Sequence, residues 1–335
     1  MCPSCENNSG AMVKEVKYMC PLSEDTRRLA REELREDEDI RENALEHMKK
    51  WAEDNPRIET CRTDPCFLLR FLRAKKFSLP MAQEAMERYL LLRQTYNYAF
   101  NNLDCLLPNM DYLFSEGYLF AAPGRDKDGR RWIIARPGVF DPHKYTNADM
   151  CRIHGITYET LMEDEESQVR GFVHYGDGAG VSFPHLTLFT PKEAVRIVKN
   201  GERTLPMRHK EVWGINVHPS IKYALDFGMS LISEKIKKRV TIFTNLEEAK
   251  KNMPDISMLP KEYGGTIPMV EMIALWKKEL LAARPQLLAH DKMRVRLELF
   301  SEGARAGAVS ALRNNGSCNP QTDVLAGSFR KLQVD

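Results

Sequence analysis

The chain has 335 residues, with 49 Lys and Arg against 47 Asp and Glu; the resulting net charge of +2 excludes a strongly basic nucleic-acid binder and confines any cationic surface to a local patch. Hydrophobic residues at 43% and charged residues at 29% are those of an ordinary globular protein with a substantial core, in one large domain or two. No apolar run approaches the roughly 18 residues of a spanning helix, and no secretory h-region precedes the eight cysteines, so reduced thiols in a cytoplasmic protein are expected.

Residues 1–22 read as a flexible tail, in which Cys2 and Cys5 form a lone CxxC without the second pair a zinc site needs; no metal or cofactor is expected. From Ser23 to Asp54 charges crowd around sparse anchors such as Leu29, Leu34, Met48 and Trp51, the composition of exposed helices on a larger body. Asp64-Pro65 sets a cap and first turn for a helix carrying Phe67, Leu68, Phe71 and Leu72. Ser78 begins another, with Pro80 tolerated in its first turn. Together these make a helical domain over 23–108.

After Pro108 the character changes, and a second domain is expected over 109–285. Two short β-type runs, Gly117 to Pro123 and Arg131 to Pro137, flank a turn at 125–129 whose DxDG lacks the rest of a calcium loop. Thr146 or Asn147 caps a helix through about Glu165, with Met150, Ile153, His154, Thr157, Tyr158 and Leu161 on one face. Val169 to His174 reads as a strand, Pro191 to Asn200 as a helix and Glu211 to Val217 as a strand. Alternation of this kind predicts an α/β fold with a mostly parallel sheet covered by helices. One more amphipathic helix follows Pro268, and 286–335 reads as a partly disordered C-terminal extension.

The helix expected from Ile221 is unusual. At about 100° per residue, Ile221, Leu225, Met229, Ile232 and Ile236 form one stripe, which Tyr223, Ala224, Phe227 and Leu231 widen to roughly two-thirds of the circumference. A helix packed on a single core needs less, so one side can line an interior while the other meets an apolar partner. It runs into Lys235, Lys237, Lys238 and Arg239, which either complement the helix dipole or form an anion site beside an apolar surface.

Catalytic signatures are scarce. GDGAG at 176–180 follows a strand but is not followed by a Lys-Ser/Thr pair or spaced as GxGxxG, so it reads as a turn rather than a phosphate loop. GxSxG and HExxH are absent. His154, one turn from Tyr158 on a mostly apolar face, is either a satisfied core histidine or a polar contact for a ligand.

LPMRHKEVWGINVHP, SLISEKIKKRV and LPKEYGG, with DPCFLLRFLRAKKF upstream, together resemble the CRAL-TRIO family over roughly residues 45–285, closest in pattern to its tocopherol-transfer and retinaldehyde-binding branch. The resemblance implies a helical N-terminal domain before an α/β domain with a lipid cavity and a helical lid. It places His154, Tyr158, Phe172, Ile197, Leu205, Met207 and Val212 around the cavity and Ile221, Leu225, Phe227, Met229 and Ile232 in the lid. Where that branch has small hydroxyl residues this chain has His154 and Tyr158, and Gly228 stands near the family's Lys-Pro-Phe. The resemblance also implies a phosphoinositide site at Arg73, Arg208, Lys235 and Arg239, with Lys210 and Lys238 as auxiliaries.

The expected function is therefore non-enzymatic carriage of a hydrophobic small molecule, an isoprenoid-like alcohol or aldehyde, released at phosphoinositide-containing membranes that the protein visits transiently. The alternatives are a phosphoinositide-binding trafficking adaptor with an incidental cavity and a nucleotide-using enzyme built on the 176–180 loop.

Overall fold

The computed structural model describes residues 18–188, 190, 204–217, 222–253 and 255–305. Helices α1 (Glu24–Leu34) and α2 (Glu38–Asp54) start at Ser23 and Asp37, each of which accepts a hydrogen bond from the first-turn backbone. Strand β1 (Ile58–Thr60) follows, then α3 (Pro65–Ala74), capped by Asp64 and buried from Phe67 to Arg73, and α4 (Leu79–Thr95). The short helix α5 (Asn97–Phe100) and α6 (Pro108–Ser115) lead into the sheet.

Five strands form that sheet in the order β2 (Leu119–Ala121), β3 (Arg131–Ala135), β4 (Phe172–Asp177), β5 (His209–Ile215) and β6 (Val240–Ile242). The β2–β3 hairpin is antiparallel and the other three pairings are parallel, as the alternation of elements predicts. The 125–129 turn is a hairpin turn: Asp126 accepts from the Arg130 backbone at 2.8 Å and from the Trp132 indole at 3.0 Å.

Helix α7 (Asn147–Met162) opens with a capping box between Thr146 and Asp149. A separate short helix α8 (Glu165–Arg170) takes in Val169, so β4 begins at Phe172 rather than at the expected Val169. Gly171 makes the junction at φ 84°, and a Cβ there would lie 2.5 Å from the Arg208 carbonyl.

The single helix expected from Ile221 is two. Helix α10 (Lys222–Leu231) follows the short α9 (Phe183–Thr187) in chain order, and Ser233 then caps α11 (Glu234–Lys237), leaving Ile232 between them. After β6 come α12 (Leu246–Asn252) and the long α13 (Met269–Ala289), which crosses the expected boundary at 285. Strand β7 (Arg294–Val295) pairs antiparallel with β1, and Met293, Val295, Phe300 and, from α14 (Glu302–Arg305), Ala304 pack into the core of α2, α3 and α4. The larger core lies around the sheet and is closed by α7 and α13 through Ile153, Leu161, Met272 and Trp276.

Candidate functional site

Sheet register builds the floor of the site. Ile133, His174, Val212 and Val240 are neighbours across β3 to β6, so they share one face. Phe172, two residues before His174, shares it and is buried. A register shift between Phe172 and Val173 leaves Lys210 unpaired, which brings His209 beside Phe172 and Val212 beside His174. His174 Nε2 and His209 Nδ1 are 2.8 Å apart.

One wall comes from α7. Its ring contacts run from Tyr118 to His154 (5.8 Å between centroids), from His154 to Tyr158 (5.7 Å) and from Tyr158 to His174 (6.2 Å), all edge to face. His154, Tyr158 and His174 are deeply set yet only half-buried by accessible surface, a combination expected of side chains facing a hollow. Burial lowers the pKa of His154, and it lowers that of His174 further with help from His209 and His154, so both rings are neutral. Burial pushes the Tyr158 hydroxyl up to about 12.

Leu205 and Val212 are half-buried, and Met207, 8% exposed, joins the main core. Ile197 and Ile221 lie outside the described residues. In α10, Leu225 and Met229 are half-buried and Phe227 is 41% exposed. No described residue of α10 belongs to the core clusters, and a Cβ placed on Gly228 would meet nothing within 4 Å. Half-buried apolar residues on one part of the helix and an exposed Phe227 on another fit the breadth of its apolar arc. Strand β5 matches it: although paired on both edges, all its residues except Ile215 keep accessible surface.

The expected cations fall into two groups, and one of them needs correction. Arg73 is fully buried: Nε and Nη2 form a bidentate pair with Glu36 at 2.9 and 2.8 Å, while Nη1 reaches Glu165 at 2.9 Å and Gln168 at 2.8 Å. Burial works against its charge, but these carboxylates more than offset that and keep it ionised. With its donors engaged, Arg73 braces α3 against α8 and the turn after α1 and does not present itself to a headgroup in this conformation.

Arg208, Lys210 and Arg239 do cluster. Burial, Arg208 and Arg239 all depress the Lys210 amine, with Glu33 working the other way. Glu33, from α1, bonds Arg208 and receives Lys210 Nζ at 3.0 Å; burial would raise its carboxyl, but the two cations hold it below the usual carboxylate range. Arg239 donates to the His209 carbonyl. Lys235 is exposed and lies within electrostatic range of Lys75, whose amine is depressed by burial and then by Arg88 and Lys235. Lys75, Arg88 and Lys235 therefore form one cationic group and Arg208, Lys210 and Arg239 another, the second partly covered by Glu33 of α1.

The 176–180 loop is a tightly packed turn. Asp177 accepts from the Ala179 backbone and the Asn216 amide, both at 2.9 Å, and from the Tyr263 hydroxyl at 2.6 Å; Gly138 packs so closely on Ala179 that a Cβ would lie 1.9 Å from its carbonyl. Among the described residues no group of three or more His, Cys, Asp or Glu is placed to hold a metal ion, and no helix is long and apolar enough to cross a membrane.

His174, His209 and Glu33 were not among the residues singled out from the sequence. Alternation from Phe172 points His174 to the same face, so a period-two reading of β4 finds it. His209 is hidden by the bulge, since it stands an odd number of residues from Val212. Glu33 reads as one more charge on a solvated helix until its cationic partners are in place.

The CRAL/TRIO domain family matches residues 115–265, and the Pinta-like UBA domain matches residues 37–110. Human alpha-tocopherol transfer protein-like is 32% identical over 269 residues, spanning 79% of this chain and 77% of that protein. Mouse clavesin-1 is 28% identical over 272 residues, spanning 81% and 77%. The crystal structure of Sfh5 aligns at 12% identity and TM-score 0.49 over 76% of this chain and 99% of that one, a likeness too slight to carry weight. With helices in front, a mostly parallel sheet behind and a relative of this identity and coverage, the chain belongs to the CRAL/TRIO family of lipid-binding proteins.

Proposed function

We propose that this protein is a non-enzymatic carrier that holds one hydrophobic small molecule, retinoid- or tocopherol-like, between the β4–β5 floor and α10, and delivers it to membranes containing phosphoinositides. The observation that carries the reading is α10 itself, an apolar helix none of whose described residues joins a core cluster, in a fold whose central strand β5 keeps accessible surface. Covering a ligand with one side and entering the bilayer interface with the other gives both surfaces a role. His154, Tyr158, Phe172, Leu205, Met207 and Val212 line the hollow, and α10 with Ile232 forms the lid. Arg208, Lys210, Lys235 and Arg239 receive the headgroup phosphates by charge-assisted hydrogen bonds. Arg73 supports that patch from beneath.

The headgroup must compete with Glu33 for Arg208 and Lys210, so docking and release of α1 are linked. Between membranes the carrier is cytoplasmic. Native mass spectrometry of protein purified without denaturant tests the cavity, with one bound lipid per chain expected; no binding of retinoids, tocopherols or phospholipids would refute the carrier. Ligand transfer to vesicles with and without phosphoinositide tests the patch. The Lys235→Ala/Arg239→Ala double variant is expected to lose the headgroup dependence, and its persistence would reassign those cations.

A further inference from the structure

The chemistry of the ligand's polar end follows from a single hydrogen bond on α7. His154 Nδ1 lies 2.8 Å from the Met150 carbonyl oxygen one turn earlier. A carbonyl only accepts, so Nδ1 carries the proton. The ring is neutral, since burial disfavours its charged form more than the Met150 bond favours it. Its other nitrogen, Nε2, is therefore a bare lone pair.

Among the described residues Nε2 meets no hydrogen-bond partner, and neither does the Tyr158 hydroxyl one turn on. The titratable groups facing this pair are Tyr118 on one side and His174 on the other, with Cys151 beyond Tyr118. Burial raises the Tyr118 hydroxyl and lowers the His174 imidazole, so these two rings are uncharged at neutral pH. His174 is turned toward His209, which occupies its Nε2. The open positions in this polar cluster are thus one acceptor, on His154, and one hydroxyl that can donate or accept, on Tyr158.

A ligand hydroxyl satisfies both, donating its proton to Nε2 and accepting from Tyr158. An aldehyde or ester oxygen has no proton to give, so it can bond only Tyr158 and leaves the His154 lone pair unpaired against a second lone pair. A carboxylate would have to be buried without a cation, since Arg208 and Lys210 are engaged with Glu33. We propose that this carrier selects an apolar molecule bearing a free hydroxyl over the matching aldehyde, ester, ether or acid, and that the Nε2 acceptor of His154, backed by the Tyr158 hydroxyl, is the specificity determinant. The proposal rests on the carrier reading and adds the class of its cargo.

The test uses the full chain and matched pairs differing only at the polar end: retinol with retinal, farnesol with farnesal, and α-tocopherol with its methyl ether. Binding is read by tryptophan fluorescence quenching and by native mass spectrometry. The alcohol of a pair that binds is expected to be favoured by about ten- to a hundredfold, the range of one unpaired buried polar group. His154→Phe is expected to bring that ratio to within about twofold of unity while the aldehyde or ether still binds, and Tyr158→Phe to reduce it partway.

Should His154→Phe fail to fold, His154→Gln, which offers both donor and acceptor, reports the same ratio. The preference is expected to hold from pH 8 to pH 7, because burial lowers the ring from its ordinary value and it stays neutral there. Equal affinity of alcohol and aldehyde in the unaltered protein overturns the hydroxyl selection and leaves the carrier standing. A preference that survives His154→Phe overturns the residue assignment, and failure to bind either member of every pair removes the carrier reading with it.

Discussion

Helix α7 has two polar sides, and they differ in one respect. On one side Glu159 and Glu163 enter a buried ionic network: Arg70 reaches Glu159 at 3.0 Å and Glu163 at 2.7 Å, the Tyr89 hydroxyl reaches Glu159 at 2.6 Å, and Arg62 reaches Glu163 at 2.6 Å and His290 Nε2 at 2.7 Å. On the other side His154 and Tyr158 are neutral and leave hydrogen-bonding capacity unused. In the first arrangement the charges are matched without a guest, because Arg62, Arg70 and Arg93 meet the two carboxylates, although Arg70 Nε and His290 Nδ1 stay without a hydrogen-bond partner. The second is complete only when something else arrives. Burial is common to both, so the distinction between a structural polar cluster and a receptive one lies in whether its partners are already present.

That distinction is sharpest in stability. Glu159→Ala leaves Arg70 and Arg93 facing each other across a buried gap, and is expected to destabilise the fold by about 3 to 5 kcal/mol in denaturant titration. A loss below about 1 kcal/mol would show that water or a neighbouring carboxylate replaces it.

His290 gives the next largest effect. Burial, followed by Arg93, Arg70 and Arg62, holds its folded-state pKa at about 2, far below its unfolded value near 6.5. The unfolded chain therefore takes up the proton first. This contribution to stability is complete above about pH 6.5 and declines as pH falls towards 2, by up to about 1.4 kcal/mol per pH unit. Replacing it by Phe is expected to flatten the slope between about pH 6.5 and 5, above the range where carboxylates titrate. An unchanged slope would place that proton elsewhere.

Tyr158→Phe removes a hydroxyl with no described partner, so the ligand-free protein is expected to change in stability by less than about 1 kcal/mol while losing part of its ligand discrimination. A cost as large as that of Glu159→Ala would mean that the two sides of α7 are not different in kind.

The smallest stability effect belongs to Glu33→Gln, since that ion pair is partly exposed. Its signature is in binding: with Arg208 and Lys210 freed, affinity for phosphoinositide vesicles is expected to rise by about fivefold in flotation or surface-plasmon measurements. No gain would show that Glu33 does not compete with the headgroup.

How much of this is legible in the sequence depends on the range of the interaction. Caps and turns are local, so Asp64, Thr146 and the 125–129 turn are readable from neighbouring residues alone. The breadth of the apolar arc on α10 is also local, but its interruption at Ser233 is missed because periodicity alone ignores a serine able to cap a new turn. The start of β4 is misplaced for a similar reason, since Val169 suits a strand but is taken into α8 before Gly171 turns the chain. Long-range charge pairing is not legible. Arg73 and Arg239 look alike in the sequence, yet one is encased by Glu36 and Glu165 and the other stands in the Lys210 cluster. The partners that decide between them come from segments tens of residues away.

In the proposed carrier, the extra residue in β5 has a consequence for how delivery would be triggered. Within three consecutive residues, Arg208 and Lys210 bond the acidic side chain of α1, while the His209 ring bonds His174 on the hollow's floor and its carbonyl is held by Arg239. An anion that draws Arg239 and its neighbours to itself lets go of the very peptide on which that histidine hangs. In that proposal signal and response are one residue apart, and no long relay through the fold is needed for the membrane to loosen the carrier's grip.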